Sequence, residues 1–273
     1  MKKTIIITLG LISMACIAAS SFAETNTISS PVTLPKKEKL HLYLLMGQSN
    51  MAGRGKIGKE DLTANPRVIM LSTNGNWEAA VDPITKDRKT DLGVGPGLSF
   101  GKTMAEKDPT VTIALVPCAV GGTPLSRWQK GGDLYKRAIE RAKLAMNDGV
   151  LEGVLWHQGE SDTGKKENAE SYSARLSQMI KDLRTDLGST NLPVVVGELG
   201  EFLYNRPKNK PPFVTLVNDA LRKLPETVPL TGCASSKGLK DKGDELHFNA
   251  EAQHEFGRRY AAEMIRLQTS LQK

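Results

Sequence analysis

The sequence predicts an α/β fold with a mainly parallel, doubly wound sheet. Short apolar runs rich in branched residues alternate along the chain with segments of helical periodicity, which is the order that βαβ units require. The apolar runs are nearly continuous, as in strands that are buried on both faces. Polar motifs follow directly after these runs, at the strand ends where open α/β sheets bind their ligands.

Six apolar runs predict the strands of this sheet. They cover residues 40–46, 67–71, 111–117, 153–156, 193–197 and, more weakly, 228–233. Five segments between or after them predict helices, at residues 98–106, 133–147, 172–187, 212–224 and 250–271. In the third of these helices apolar residues recur every three or four positions and Gly188 follows as a C-terminal cap, while Asn249 is the expected N-cap of the last.

The first 23 residues predict a secretory signal peptide. Lys2 and Lys3 precede an apolar run over residues 5–19, and Ser21-Phe22-Ala23 places small residues at the outer positions of a cleavage site after Ala23. We therefore expect a secreted or periplasmic protein without stable membrane insertion after cleavage. A retained membrane anchor is the alternative, although the apolar run is shorter than the ~20 residues that span a bilayer.

Two further features lie at the start of the chain, one within the leader and one directly after it. Cys16 invites a lipoprotein interpretation, but Ser13 stands where a leucine-like residue is expected. Residues 24–39 are polar, contain two prolines and predict a lead-in to a single domain over residues 40–273. Nothing in the sequence indicates an oligomeric state, so a monomer is the default.

Charge and cysteine content exclude several classes of protein. Removing the leader's two lysines leaves 35 basic against 30 acidic residues, a formal charge of +5 without a dense basic cluster, so no nucleic-acid partner is predicted. Cys118 and Cys233 remain, either as one disulfide bridge or as two buried thiols. No Cys/His spacing indicates a metal site.

A serine and a histidine are the first candidates for chemistry. Ser49 lies in Gly47-Gln48-Ser49-Asn50-Met51, just after the first strand, where Gly47 allows a tight turn. Its hydroxyl is a nucleophile only if a base removes the proton, and it is otherwise a polar turn residue. His247 is the best base, because Asp244 lies three residues earlier and can reach one ring nitrogen. The alternative is a solvated acidic loop.

Two more polar blocks follow predicted strands. The block HQGESD at residues 157–162 is costly to bury unless its groups form a hydrogen-bond network. Helix N-capping would explain Ser161 or Asp162, but neither Gln158 nor Glu160. The pair Gly121-Gly122 can expose backbone N–H groups to an oxyanion, although paired glycines are also common in simple turns.

These four blocks, in this order, resemble the SGNH-hydrolase superfamily. More narrowly they resemble its sialate O-acetylesterase-like branch, which includes the acetyl xylan esterases of carbohydrate esterase family 6. The resemblance covers about residues 40–265. It implies a flavodoxin-like three-layer α/β/α sandwich and removal of acetyl groups from sugar hydroxyls with no metal or other cofactor.

The resemblance also implies roles for individual residues. Ser49 corresponds to the nucleophile, His247 to the general base and Asp244 to its orienting acid. Glu160 matches a family carboxylate that can serve the histidine as a second helper acid.

The implied oxyanion hole combines main-chain and side-chain donors. They are the backbone N–H of Ser49, that of Gly121 or Gly122, and the side-chain amide of Gln158. Where the wider superfamily often has Asp before the serine and Asn in the third block, this chain has Gln48 and Gln158, as in the acetylesterase branch.

Sugar contacts are expected around the same site. Trp128, with Arg127, lies just beyond the glycine pair and can stack on a sugar ring, or it is ordinary surface packing. Gln48, Asn50 and His157 are further expected contacts. The loops that would select the sugar contain no readable pattern, at residues 54–65, 72–96 and 200–212.

The sequence therefore predicts a secreted serine carboxylic-ester hydrolase that deacetylates a polysaccharide or oligosaccharide, in the manner of an acetyl xylan esterase. The alternatives are a sialate O-acetylesterase, another short-chain ester hydrolase of the same superfamily, and a non-catalytic glycan-binding protein. The sugar itself is not predicted.

Overall fold

Seven strands form one central sheet. They are β1 (Leu40–Gly47), β2 (Val68–Leu71), β3 (Trp77–Ala79), β4 (Thr112–Pro117), β5 (Val150–His157), β6 (Val194–Gly197) and β7 (Thr231–Ala234). Their spatial order is β3-β2-β4-β1-β5-β6-β7. All neighbours pair in parallel except β3, which runs antiparallel to β2 at the edge. Because β1 is central and later strands extend the sheet on both sides of it, the fold is doubly wound.

This computed structural model describes residue 1 and residues 32–86, 91–206 and 211–271. The predicted signal peptide, its cleavage site and residues 24–31 of the lead-in lie outside the described residues. The boundaries at residues 23 and 39 therefore stay predictions. None of the helices among the described residues has the length and apolarity needed to cross a bilayer.

Within the described ranges, seven α-helices accompany the strands. They are α1 (Ser49–Ala52), α2 (Pro96–Lys107), α3 (Asp133–Ala145), α4 (Lys166–Glu170), α5 (Tyr172–Asp186), α6 (Val214–Thr227) and α7 (Ala250–Ser270). Helices α3, α5 and α6 contribute to the apolar cluster on one face of the sheet, and α2 and α7 to the cluster on the other. The protein is thus the predicted three-layer α/β/α sandwich.

The central strand shows why the sheet is buried on both faces. Leu42, Leu44 and Met46 belong to the apolar cluster on one side of β1, and Tyr43 and Leu45 belong to the cluster on the other. All five are buried. Successive side chains of a strand point to opposite faces, so a continuous apolar run is what a sheet between two helical layers requires.

The predicted elements match the observed ones closely. The six predicted strands and five predicted helices are all present, with boundaries shifted by a few residues. Asn249 caps α7 by accepting a hydrogen bond from the Ala252 N–H, and Gly188 follows α5 with a φ of +64°. Three short elements were not predicted: β3, in which Trp77 and Glu78 are half-exposed and Ala79 is exposed, and the helices α1 and α4. Cys118 and Cys233 are both free thiols.

Candidate active site

Ser49 is fixed at the carboxyl edge of the sheet by the turn that ends β1. Gly47 has a φ of +133°, and a Cβ there would lie 2.0 Å from the carbonyl oxygen of His157 at the end of β5. The Gln48 N–H donates to that same carbonyl at 2.8 Å. Only glycine allows this close approach, so the turn holds Ser49 at the first residue of α1.

Ser49, His247 and Asp244 form one continuous chain of contacts. His247 Nε2 lies 3.0 Å from Ser49 Oγ, and His247 Nδ1 lies 2.7 Å from Asp244 Oδ2. Because the carboxylate can only accept, Nδ1 carries a proton and Nε2 of the neutral ring is free to accept the serine proton. This is the nucleophile, base and orienting-acid arrangement of a serine hydrolase triad.

Local hydrogen bonds build the loop that carries His247, which we call the His247 loop (residues 240–248). Asp241 Oδ2 accepts from the N–H groups of Gly243 and Glu245, and Asp244 Oδ1 accepts from those of Leu246 and His247. The ends of the loop are closed by Asn249 N–H donating to the Lys240 carbonyl at 3.0 Å. Aspartates are favoured in such turns because their side chains accept from nearby backbone N–H groups.

These donors also keep Asp244 ionised. Burial alone would raise the pKa of its carboxyl, but hydrogen bonds from the His247 ring and from the N–H groups of His247 and Leu246 lower the pKa below its usual range. An ionised carboxylate is the form that orients the imidazole and stabilises the imidazolium.

A cavity of about 290 Å³ opens above the serine. Its lining is Gln48, Ser49, Arg54, Asp91, Gly122, Glu160, Ser161, Leu246 and His247. Of the two predicted glycines, Gly122 lines this cavity. Neither its N–H nor that of Ser49 takes part in a hydrogen bond among the described residues, so both are available to an oxyanion.

The structure corrects the expected position of Gln158. Its side chain is 0% exposed and does not line the cavity. Its Nε2 donates to Asp162 Oδ2 at 2.7 Å, to the Thr123 carbonyl at 3.1 Å and to Gln48 Oε1 at 3.2 Å. Both amide protons are therefore used inside the protein, and Gln158 positions its neighbours rather than pointing at the serine.

Gln48 is the side-chain amide that reaches the cavity. Its Oε1 accepts from Gln158 Nε2 and from the Ser161 N–H at 3.3 Å, which directs the oxygen inward. Its Nε2 makes no hydrogen bond among the described residues. The Gln48 amide is thus placed to donate into the cavity beside the backbone N–H groups of Ser49 and Gly122.

Glu160 was expected to assist His247, and the structure places it elsewhere. Its Oε1 accepts from Asn50 Nδ2 at 2.6 Å and lies 3.5 Å from His157 Nε2, while no ion pair joins it to His247 among the described residues. Burial alone would raise the pKa of Glu160, but the His157 ring and the Asn50 amide lower it. Glu160 is connected to the His247 loop through Asn50.

Asn50 links this buried acid to the His247 loop. Its Nδ2 also donates to the Leu246 carbonyl at 3.1 Å, and its Oδ1 accepts from the Phe248 N–H at 3.1 Å. These two peptide groups flank His247 on either side. Asn50 therefore fixes the position of the His247 imidazole relative to Ser49.

Four of the five expected sugar contacts are buried, and of these four Gln48 alone lines the serine cavity. Trp128 is fully buried and donates through Nε1 to Thr123 Oγ1 at 3.1 Å, so it cannot stack on a sugar. His157 and Asn50 are also buried and line no cavity at the serine. Gln48 and Arg127 face open cavities, Gln48 at Ser49 and Arg127 in a neighbouring cleft.

Arg54 and Asp91 line the cavity and were missed. Arg54 is buried, with its Nε 3.2 Å from Asp91 Oδ2 and its Nη1 donating to the Gly53 carbonyl at 2.7 Å. Arg54 comes directly after the GQSNMAG stretch, so its proximity to Ser49 in sequence was the available signal. Asp91 lies in a loop without a motif, and no signal pointed to it.

One cluster of metal-type ligands occurs among the described residues, formed by Glu60, Asp61 and His254. It does not line the serine cavity. Asp61 already accepts from the Gly58 N–H at 2.7 Å and contacts His254 Nε2 at 2.6 Å, so its oxygens are satisfied by protein groups.

The sheet order, the serine at the end of β1 and the histidine before α7 define a hydrolase of the SGNH type. The crystal structure of NanS has this fold, with a TM-score of 0.68 and 17% identity over 87% of this chain and 100% of that chain. A crystal structure of an Arabidopsis thaliana protein aligns with a TM-score of 0.76 and 32% identity over 83% of this chain and 98% of that one.

Sequence comparison narrows the class to a family. Residues 39–266 match the family described as carbohydrate esterase, sialic acid-specific acetylesterase. A probable carbohydrate esterase from Arabidopsis thaliana is 35% identical over 241 residues, which cover 79% of this chain and 86% of the relative. The chain belongs to this family of carbohydrate esterases.

Proposed function

We propose that the protein removes acetyl groups from sugar hydroxyls by serine catalysis, as an exported enzyme. The observation that carries the proposal is the contact chain from Ser49 Oγ through His247 to Asp244, at 3.0 and 2.7 Å. Membership of a carbohydrate esterase family supports the ester substrate. The leader predicted over residues 1–23 supports export.

The first half of the reaction forms an acetyl-enzyme. His247 Nε2 takes the Ser49 proton as Oγ bonds to the acetyl carbonyl carbon, and the carbonyl oxygen becomes an oxyanion. The N–H groups of Ser49 and Gly122 and the Gln48 amide donate to that oxygen. The C–O bond to the sugar then breaks, and His247 gives its proton to the departing sugar oxygen.

The second half uses water. His247 Nε2 removes a proton from a water molecule that attacks the acetyl carbon, and the proton then passes to Ser49 Oγ as acetate leaves. Asp244 stays ionised throughout and stabilises the imidazolium in both halves.

The first prediction tests the nucleophile. Ser49→Ala should lower kcat for p-nitrophenyl acetate and for acetylated xylan by about 10³-fold or more, because the acetyl-enzyme cannot form. Ser173→Ala, at an exposed position on α5, is the matched control and should keep the wild-type rate. Circular dichroism and the Tm of each variant verify folding.

Equal rates in wild type and Ser49→Ala would refute the proposal. Glycan binding without acetate release over long incubation would instead identify a non-catalytic binding protein. A rate that does not fall from p-nitrophenyl acetate to p-nitrophenyl butyrate and octanoate would identify a broader ester hydrolase.

A further inference from the structure

A second cleft, larger than the serine cavity, opens at the same edge of the sheet. It encloses about 590 Å³ where β2 and β4 end, and its lining includes Leu71, Pro117 and Val120. Four basic side chains face it, and we call it the basic cleft: Lys86, Arg127, Arg137 and Arg141. Asp133 is the single acidic residue of the lining.

The basic cleft adjoins the active site. Val120 lines the cleft and Gly122 lines the serine cavity, and two residues of chain span at most ~7 Å. In the sheet, β4 lies between β2 and β1, so the strand ends at the cleft are within two interstrand spacings, about 10 Å, of the end of β1. One oligosaccharide can therefore occupy both.

Two of the four cations have their charge already matched. Arg127 Nε donates to Asp133 Oδ1 at 3.0 Å, and Lys86 Nζ lies 3.8 Å from Glu78 Oε2. The other two make no ion pair with an acidic side chain in the described part of the chain. Arg137 is exposed and makes no hydrogen bond or ion pair with any described residue, and Arg141 makes no ion pair with one.

Backbone carbonyls hold Arg141 in a fixed orientation. Its Nε donates to the Pro117 carbonyl at 3.0 Å, and its Nη2 donates to the carbonyls of Leu71 at 2.8 Å and Ser72 at 3.1 Å. The Cys118 thiol is a further hydrogen-bond partner of the Arg141 side chain. Ordering a guanidinium beforehand reduces the entropy lost when it binds an anion.

Helix α3 presents these charges as a row. Asp133, Arg137 and Arg141 are spaced by four residues and so lie on one face of the helix, which lines the cleft. Arg127 neutralises Asp133 at the beginning of that row. The two unmatched guanidinium groups are therefore one turn apart, as suits a carboxylate that accepts from both.

We propose that the basic cleft binds a carboxylate of the substrate, so that the preferred substrate is an acidic O-acetylated saccharide. This inference rests on the proposed function for the position of the acetyl group. A uronic acid in a branched polysaccharide and a sialic acid both supply such a carboxylate. The experiment below distinguishes these two sources.

The test compares acidic substrates with matched neutral ones. One pair is acetylated xylo-oligosaccharide with and without a glucuronic acid branch, and the other is O-acetylated sialic acid and its methyl ester. For wild type, kcat/KM should be higher for the acid in at least one pair, and the pair that shows it identifies the source. Added NaCl should reduce this preference.

Arg137→Gln should reduce the acid-to-neutral ratio of kcat/KM about tenfold, because a charge-assisted hydrogen bond to the carboxylate is lost. Arg137→Glu should reduce it further through repulsion. Lys136→Gln is the matched control: Lys136 is the preceding residue on α3, is equally exposed and does not line the cleft, so the ratio should stay at the wild-type value.

The experiments give different results if the basic-cleft proposal is wrong and if the esterase proposal is wrong. If hydrolysis of p-nitrophenyl acetate depends on Ser49 but Arg137→Gln keeps the wild-type ratio in both pairs, the cleft proposal is overturned and the esterase proposal stands. If that hydrolysis does not depend on Ser49, the esterase proposal fails. Calorimetric binding of the deacetylated acidic saccharides then tests the cleft by itself, and equal Kd values for wild type and Arg137→Gln overturn it.

Discussion

The His247 loop and the polar cluster buried beside it are both rich in acids, yet they differ in exposure. Asp244 has 36% of its side chain exposed and His247 has 14%. In the HQGESD block, which we call the buried cluster, Gln158 and Asp162 are 0% exposed. In the proposed mechanism His247, the group that exchanges protons with substrate and water, lies in the exposed loop, and the buried cluster packs beneath that loop.

The two regions also differ in how their bonds are made. The His247 loop closes through contacts between residues a few positions apart, such as Asp244 with His247. The buried cluster bonds to distant parts of the chain: Glu160 to Asn50, and Asp162 to Leu125 and Arg175. In the proposed mechanism the loop supplies the base and its orienting acid, while the bonds of the cluster join α1, Leu125 and α5 to the segment that follows β5.

The largest effect should come from the acid of the loop. We predict that Asp244→Asn lowers kcat/KM for p-nitrophenyl acetate by about 10³- to 10⁴-fold with little change in Tm, because an amide at this position favours the wrong tautomer of His247. Glu160→Gln, the matched change in the buried cluster, should cost less than about tenfold, since its oxygen can still accept from Asn50.

The ratio of these two losses tests the comparison directly. Similar losses of kcat/KM in Asp244→Asn and Glu160→Gln would contradict the separation of loop and cluster. They would mean that both carboxylates act on the imidazole, as the family resemblance implied.

The sequence could predict the loop because its contacts are local. Asp244 and His247 are three residues apart, and a carboxylate at that distance can fold back on the ring without knowledge of the fold. Strands and helices were predictable for the same reason, since hydrophobic periodicity is a local signal. The approach of Ser49 to His247, 198 residues away, was predicted from the family resemblance and not from spacing.

The buried cluster was harder to predict because its contacts are long-range. The sequence around Gln158 does not show that its side-chain amide donates to Gln48, Thr123 and Asp162. Likewise, Trp128 looks like a surface aromatic in sequence, but Nε1 bonds to Thr123 and its ring packs edge-on against Trp156, with ring centroids 5.5 Å apart. A motif identifies which residues gather, while the packing decides which of them face the substrate.

Substitutions in the buried cluster should change the stability of the protein more than its catalytic rate. Asp162 accepts from Arg175 Nη2 at 2.9 Å, from the Leu125 N–H at 2.9 Å and from Gln158 Nε2 at 2.7 Å. We predict that Asp162→Asn lowers the free energy of unfolding by about 3–5 kcal/mol, because it removes a buried charge that three donors require. Thermal denaturation should show a Tm lower by roughly 10 °C.

Asp219→Asn is the control for that measurement. Asp219 pairs with Arg222 at 3.0 Å, but 45% of each side chain is exposed, so its loss should cost less than about 1 kcal/mol. If the two variants unfold at the same temperature, the bonds of the buried cluster do not contribute the stability that we assign to them.

Asp82 is a buried carboxylate with weaker support: its hydrogen bonds come from backbone N–H groups, among them that of Ile84 at 3.4 Å. It is 1% exposed, and its Oδ2 has no hydrogen-bond partner among the described residues. Burial and, secondarily, the charge of nearby Asp61 raise the pKa of Asp82 to about 7. The folded protein therefore keeps this proton over a pH range in which the unfolded chain has released it.

This retained proton makes the stability fall as pH rises. Below about pH 4 both states are protonated, and between about pH 4 and 7 only the folded state is, so Asp82 destabilises the fold progressively across that window. Asp82→Asn replaces the carboxyl with an amide that does not titrate. The unfolding free energy of the variant relative to wild type should therefore increase by up to about 4 kcal/mol from pH 4 to pH 8. Chemical denaturation across this range measures the difference, and a difference that stays constant with pH would show that Asp82 is as well supported as Asp162.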